Sequence, residues 1–285
     1  MTLVLIFVTF FAAFITGGMG YGFSSITVPV ALLYVTTRVL NPALVIVEVG
    51  INFYAMILNR KYLRGVSKKL IYLLLGIVPA IAIGSSLLRT IDSSMLKIAT
   101  LVILAPLIIL QGFGFRRPIK IERPIGALFG FMTGFLYSLT TISGPPLVIL
   151  LNNEGYAKNE FKAAMSLIRG LESILTAIVY LYFGFFNFES LEVLKIIIPC
   201  ALIGVPLGSF VIGKLKSDNF RRVCISLDCW LIAFGLYKIL EANHFTTKVL
   251  NIIICLTIVL TDAVSAYFHI SQRRATTKAP AQILK

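Results

Sequence analysis

Apolar residues fill this chain in long runs, and short polar or basic stretches separate them. Seven runs read as plain membrane spans: Pro42–Leu58, Leu70–Leu88, Leu96–Phe115, Ala163–Phe186, Ile196–Ile212, Val223–Leu240 and Val249–Ala266. Each approaches the ~20 residues that cross a hydrocarbon core of ~30 Å. Two runs depart from that pattern. In Gly126–Asn153, Ser138, Thr140, Thr141 and Ser143 crowd together and run into Gly144-Pro145-Pro146. Proline removes a backbone donor and clashes with the preceding turn, so the helix should break there. In a bilayer such a break survives only when buried in protein or lining a polar cavity. In Thr2–Tyr34, Gly17-Gly18-Met19-Gly20-Tyr21-Gly22 interrupts the run and Pro29 follows. As one helix it would measure about 50 Å, whereas two full spans would need about 40 residues. Two shortened helices meeting at a break fit better. The tail after Ser271 is polar and expected to be disordered.

Composition fixes the class. The 285 residues are 58% hydrophobic and only 13% charged, about half the charged fraction of a soluble domain. The expected fold is an all-α polytopic membrane protein. A net charge of +14 would suit nucleic acid, but membrane proteins gather Lys and Arg in cytoplasmic loops, so no nucleic-acid partner is expected. Arg60–Lys69 holds five basic residues, and Arg116–Arg123, Lys214–Arg222 and Arg273–Lys285 hold four each. Loop Gly184–Ser190 has none. Placing the four rich stretches in the cytoplasm puts the N-terminus outside and the C-terminus inside a multi-pass cytoplasmic (inner or plasma) membrane. Both broken segments then begin and end on one face, as re-entrant hairpins or kinked pairs entering from opposite sides. The first apolar run lacks a basic leader and a clean cleavage site, so it is kept as mature structure. Cys200, Cys224, Cys229 and Cys255 lie in apolar runs and read as packing residues, with no metal site, cofactor or disulfide frame implied.

The order of elements repeats. Thr16-Gly17 and Pro29 match Thr133-Gly134 and Pro146 at one offset, and Ile83-Gly84-Ser85 matches Leu207-Gly208-Ser209. Residues 1–115 and 116–241 therefore read as two inverted repeats, each a broken segment plus three spans. Residues 242–270 add one further span, and 271–285 form a cytoplasmic tail. The spacings Gly126-x3-Gly130-x3-Gly134 and Gly204-x3-Gly208 read as close helix packing.

Inverted repeats with broken helices place substrate near the midplane, where half-helix N-termini favour anions. The expected turns are Gly17–Pro29 and Thr133–Pro146. Hydroxyls of Ser24, Ser25 and Thr27 in one, and of Ser138, Thr140, Thr141 and Ser143 in the other, are candidate anion ligands, together with Gly144. Their alternative is bonding back to their own helices. Pro145 and Pro146 offer no amide. Arg169, basic and deep in a span, is the candidate counter-charge, its alternative being an internal pair with Glu172 or Glu48. Glu48, Asn52 and Glu172 form a candidate coupling or polar network, with Glu48 and Asn52 on one helix face. Asp228 and Asp262 are weaker candidates, and His244 and His269 read as interfacial.

The stretch Thr133-Gly134 … Ile142-Ser143-Gly144-Pro145-Pro146-Leu147-Val148, with Lys158 … Phe161-Lys162-Ala163, resembles the second half of the TauE/SafE-like sulfite and sulfonate exporter family. The glycine-rich turn before Val28-Pro29 and the Gly84 span resemble its first half more loosely, since Phe23-Ser24-Ser25-Ile26-Thr27 stands where the family usually carries more glycines. The resemblance implies secondary transport, in the export direction, of a small sulfur-containing anion such as sulfite or an organosulfonate. The partners expected are that anion and the lipid bilayer, with a homo-oligomer allowed. No Walker A motif is present, so an ion, proton or substrate gradient supplies the drive. Three alternatives stay open: transport of another small organic anion, a non-transporting scaffold or subunit, and an intramembrane enzyme. The last lacks a nucleophile with a base beside it.

Overall fold

The protein is described here by a computed structural model covering residues 2–113, 123–212, 217–242 and 247–278. Those residues form eleven α-helices: α1 (Thr2–Met19), α2 (Phe23–Ala31), α3 (Thr37–Leu58), α4 (Arg60–Thr90), α5 (Ser93–Phe113), α6 (Arg123–Thr140), α7 (Gly144–Asn153), α8 (Lys158–Tyr182), α9 (Phe188–Val211), α10 (Ser217–Ala242) and α11 (Lys248–Lys278). Eight of them are long and apolar enough to cross a membrane, and α6 is a shorter apolar helix. The outer faces carry exposed Leu, Ile, Val and Phe side chains such as Leu202, Leu256 and Phe210, as a lipid-facing surface requires. The chain is a multi-pass membrane protein.

Both broken segments break, but over three residues each. Residues 20–22 separate α1 from α2, and 141–143 separate α6 from α7. Gly17 and Gly18 remain in α1, Thr133 remains in α6, and Pro29 lies inside α2. Pro145 and Pro146 do not end a helix; they sit in the first turn of α7, where the missing N–H would have no intrahelical partner anyway. The helices α2 and α7 have 9 and 10 residues, which reach only about half-way through a ~30 Å core.

Two other expectations change. The basic stretch Arg60–Lys69 is no loop: α4 begins at Arg60 and runs for 31 residues. At 1.5 Å per residue such a helix is about 46 Å long, so its basic first turns project beyond the apolar core while the chain stays helical. The tail is ordered further than its polarity suggests, because α11 continues through Lys278; residues 279–285 lie outside the described set. So do residues 114–122, which carry most of the second basic stretch, 213–216 of the third, and His244; the side chain of His269 is outside it as well.

The glycine spacings mark two helix clasps. Helix α1 packs along α9 and α6 packs along α4. A Cβ at Gly208 would collide with the Phe14 carbonyl, and one at Gly17 with the Val205 carbonyl. Across the other clasp, a Cβ at Gly130 would collide with the Leu73 carbonyl and one at Gly76 with the Ala127 carbonyl. Only hydrogen fits at these positions, which lets the backbones meet without hydrophobic pressure from water. Between the clasps, α3 packs on α8 and α5 on α10, while α2 rests on α10 and α7 on α5.

Candidate functional site

Broken helices leave carbonyls and amides that a bilayer cannot satisfy, and neighbouring side chains serve them here. At the end of α6, Asn41 Nδ2 donates to the Leu139 carbonyl (2.7 Å) and Tyr180 Oη to the Ser138 carbonyl (2.6 Å). At the end of α1, Lys162 Nζ donates to the Gly18 carbonyl (2.6 Å), which also places a cation at a helix C-terminus. These caps come from α3 and α8, so the central helices hold both breaks in place.

Beside the breaks a buried polar centre draws on five helices. Glu48 of α3 accepts hydrogen bonds from Ser24 of α2 and from Tyr137 of α6 (2.7 Å to Oε2). Arg169 Nη2 of α8 pairs with Glu48 Oε1 at 2.5 Å, and the guanidinium carbon lies 6.0 Å from the Tyr137 ring centroid. Glu48 and Arg169 are 1% and 3% exposed, so the pair is fully desolvated and removing one partner would strand the other. One turn along α8, Glu172 accepts from Ser143 Oγ at 2.5 Å. Its Oε1 has no hydrogen-bond partner among the described residues.

The α7 N-terminus meets this centre at Gly144. A Cβ there would lie 3.4 Å from Arg169 Nη1, so the guanidinium comes up against the start of the half-helix. With Pro145 and Pro146 lacking amides, Gly144 and Leu147 are the residues of the first turn that carry an N–H, and Leu147 N already donates to the Ser143 carbonyl (3.3 Å). Each half-helix start therefore has a resident acid: Glu48 and Asp228 bonded to Ser24 and Ser25 at α2, and Glu172 bonded to Ser143 at α7. A positive helix end favours that placement.

The candidate residues are sorted by these contacts. Ser24, Ser143, Gly144, Glu48, Arg169 and Glu172 come together at the centre. Ser25 turns to the other side of α2, toward Asp228 (3.1 Å). Thr140 and Thr141 donate to the Leu136 and Thr140 carbonyls at 2.7 and 2.6 Å, and Ser138 to the Phe135 carbonyl (2.9 Å). Thr27 is buried with no partner for its hydroxyl among the described residues. Asn52 is buried beside Gly170, where α3 crosses α8. Asp262 pairs with Arg222 (2.6 Å) and joins α11 to α10. The four cysteines are free thiols, and no group of His, Cys, Asp or Glu among the described residues is arranged to hold a metal.

Sequence reasoning passed over Tyr137 and Tyr180, and it named Lys162 only among the residues that carry the family resemblance, without a role. Tyr137 sits among the hydroxyls of the second break, which was a usable signal. Tyr180 gave none, because a tyrosine inside a span is an ordinary feature.

The model of the family described as sulfite exporter TauE/SafE matches residues 5–237, a segment that contains both breaks, both clasps and the Arg169 centre. The chain belongs to the TauE/SafE sulfite exporter family. The match ends before α11, so the TauE/SafE unit is the ten-helix body on which α11 packs through α5 and α10. No curated protein and no solved structure matches the chain significantly.

Proposed function

We propose that the protein is a secondary transporter that exports a small sulfur-containing anion, sulfite or an organosulfonate, by alternating access. The observation that carries this reading is the TauE/SafE match over residues 5–237, a span that includes the buried Arg169 set between two broken helices. On this reading the chain is no enzyme. The two halves, residues 1–115 and 116–241, are inverted repeats in an inner membrane, with the N-terminus outside. The exchange of packing partners supports that: α1 lies on α9 as α6 lies on α4, and α2 on α10 as α7 on α5.

The anion docks at the start of α7, against the Gly144 amide and the Nη1 edge of Arg169. Ser143 gives its hydroxyl to the substrate in place of Glu172, and Glu48 keeps Arg169 oriented throughout. Thr27 and the remaining hydroxyls of the two breaks border the path. Rocking of α2 and α7 with their halves exposes this place to one side and then the other.

Counterflow in liposomes tests the proposal. Preloaded sulfite or an organosulfonate should drive uptake of the same labelled anion by purified, folded protein. Exchange confined to sulfur-free organic anions would transfer the reading to another substrate class. Absence of exchange across a panel of small anions would remove transport from this chain.

A further inference from the structure

One buried acid stands outside the Arg169 centre. Asp228 lies on α10, is 7% exposed, and faces α2 on the side away from Glu48. Glu48 has Arg169 as its ion partner and Asp262 has Arg222; Glu172 is on the same helix as Arg169, three residues along. Asp228 is in no ion pair among the described residues, and its Oδ1 has no hydrogen-bond partner there. An ionised carboxylate held this way in a membrane interior is costly.

Hydrogen-bond counting shows what one further proton would add. Ser25 Oγ lies 3.1 Å from Asp228 Oδ2 and 3.1 Å from the Gly22 carbonyl oxygen. A serine has one proton to donate, so with Asp228 ionised it turns to the carboxylate and leaves the Gly22 carbonyl to the Ile26 amide, which donates to it at 3.2 Å. One additional proton completes the chain: Asp228 donates to Ser25 Oγ, and Ser25 donates to the Gly22 carbonyl. Gly22 is the N-cap of α2 and has φ 110°, so this chain ends on the flexible joint between α1 and α2.

We propose that Asp228, Ser25 and the Gly22 carbonyl form a proton-binding site between the half-helix α2 and α10, and that this proton is the coupling ion. The site stands on its own geometry; its role in coupling rests on the transport reading. The Ser25–Asp228 hydrogen bond between α2 and α10 is present in both states. With the proton bound, Ser25 also holds the Gly22 carbonyl; when it leaves, Ser25 turns to the carboxylate and that carbonyl keeps only the Ile26 amide.

Few other groups compete for that role. Helices α1 and α2 contribute no titratable side chain. Helix α10 itself brings the Cys224 and Cys229 thiols and Arg222, which is paired with Asp262 of α11, and carries Asp218 and Arg221 in its first turns and Tyr237, Lys238 and Glu241 in its last. Helix α11 adds Lys248, the Cys255 thiol and Tyr267, and its last turns carry His269, Arg273, Arg274 and Lys278. Helix α5 brings Lys97, whose ammonium donates to the Leu32 carbonyl at 2.8 Å, and the joint brings Tyr21, bonded to Gln111 at 3.4 Å.

Infrared difference spectra between acid and alkaline buffer test the site directly in reconstituted protein. The band of a protonated buried carboxyl should appear in wild type and in Glu172→Gln, and vanish in Asp228→Asn. That variant is suited to the test because an asparagine amide still donates to Ser25. A band that persists in Asp228→Asn, or disappears in Glu172→Gln instead, overturns the assignment. In flux, a pH gradient of one unit should let wild type concentrate the anion about tenfold for one coupled proton. Asp228→Asn should retain counterflow yet equilibrate without concentrating. A variant that follows the pH gradient as wild type does, or a sodium gradient that drives accumulation at equal pH, overturns the coupling role. If no anion exchanges at all, the transport reading fails while the infrared band still decides the proton.

Discussion

The two helix breaks do the same job with different chemistry. The first is built on glycine: Gly20 and Gly22 have φ of 86° and 110°, a region that glycine enters freely. The second turns on Thr141 at φ 58°, where a β-branched residue costs about 1–2 kcal/mol, and the next helix opens on a proline pair that fixes its backbone. Their caps differ too. The α1 end is held by the charged Lys162, the α6 end by the neutral Asn41 and Tyr180. The first break is thus a permissive joint and the second a stiff one, and both are held by caps from the central helices α3 and α8. This contrast gives α2 the looser mounting and α7 the stiffer one beside Arg169.

The largest effects should come from the clasps that carry the breaks. Gly208→Leu beside the first and Gly130→Leu beside the second each drive a side chain into a facing carbonyl, and each should cost about 3 kcal/mol or more. Size-exclusion of detergent extracts should find little folded protein in both. A well-folded Gly130→Leu would mean that the second break does not depend on its clasp. Next come the caps. Lys162→Met should cost about 1–2 kcal/mol by removing a cation and a donor from the α1 end. Tyr180→Phe should cost about 1 kcal/mol, with thermal unfolding as the readout; equal losses would erase the difference between a charged and a neutral cap.

The joints themselves give the most telling changes, with Thr141→Gly the smallest of all. Gly22→Ala should destabilise by roughly 1–2 kcal/mol, because alanine does not tolerate its φ. Thr141→Gly should do the reverse and gain under about 1 kcal/mol, since relief of the left-handed threonine is partly offset by the greater freedom of glycine when unfolded. If Thr141→Gly destabilises instead, the second break is not strained.

The spans and the two breaks were legible because run length and proline or glycine placement act locally. The bounds of the breaks were less so. Pro145 and Pro146 looked like helix breakers, yet a proline in a first turn begins a helix, and sequence alone does not distinguish the two positions. The basic stretch at Arg60 looked like a loop because charge marks the membrane boundary, which a long helix crosses without ending. Within the site, Arg169, Glu48 and Glu172 stood out by the cost of burying charge. An internal pair with Glu172 or Glu48 was the stated alternative for Arg169, but which acid it takes was not legible, since Arg169 lies 121 residues from Glu48 and only the crossing of α3 and α8 joins them. Asp228 was underrated for the same reason: its partner Ser25 is 203 residues away.

The central claim is that the two breaks converge on Arg169 because it binds the transported anion. Sulfite counterflow by the double variant Arg169→Gln/Glu48→Gln tests that most directly. Arg169→Gln alone strands Glu48 and should cost about 3–5 kcal/mol, so a loss of flux there would be ambiguous. The double variant removes both charges and should regain most of that stability. The account predicts a folded double variant, with a melting temperature close to wild type, whose counterflow is lost. A folded double variant that exchanges sulfite at the wild-type rate would contradict it and leave the pair as packing alone.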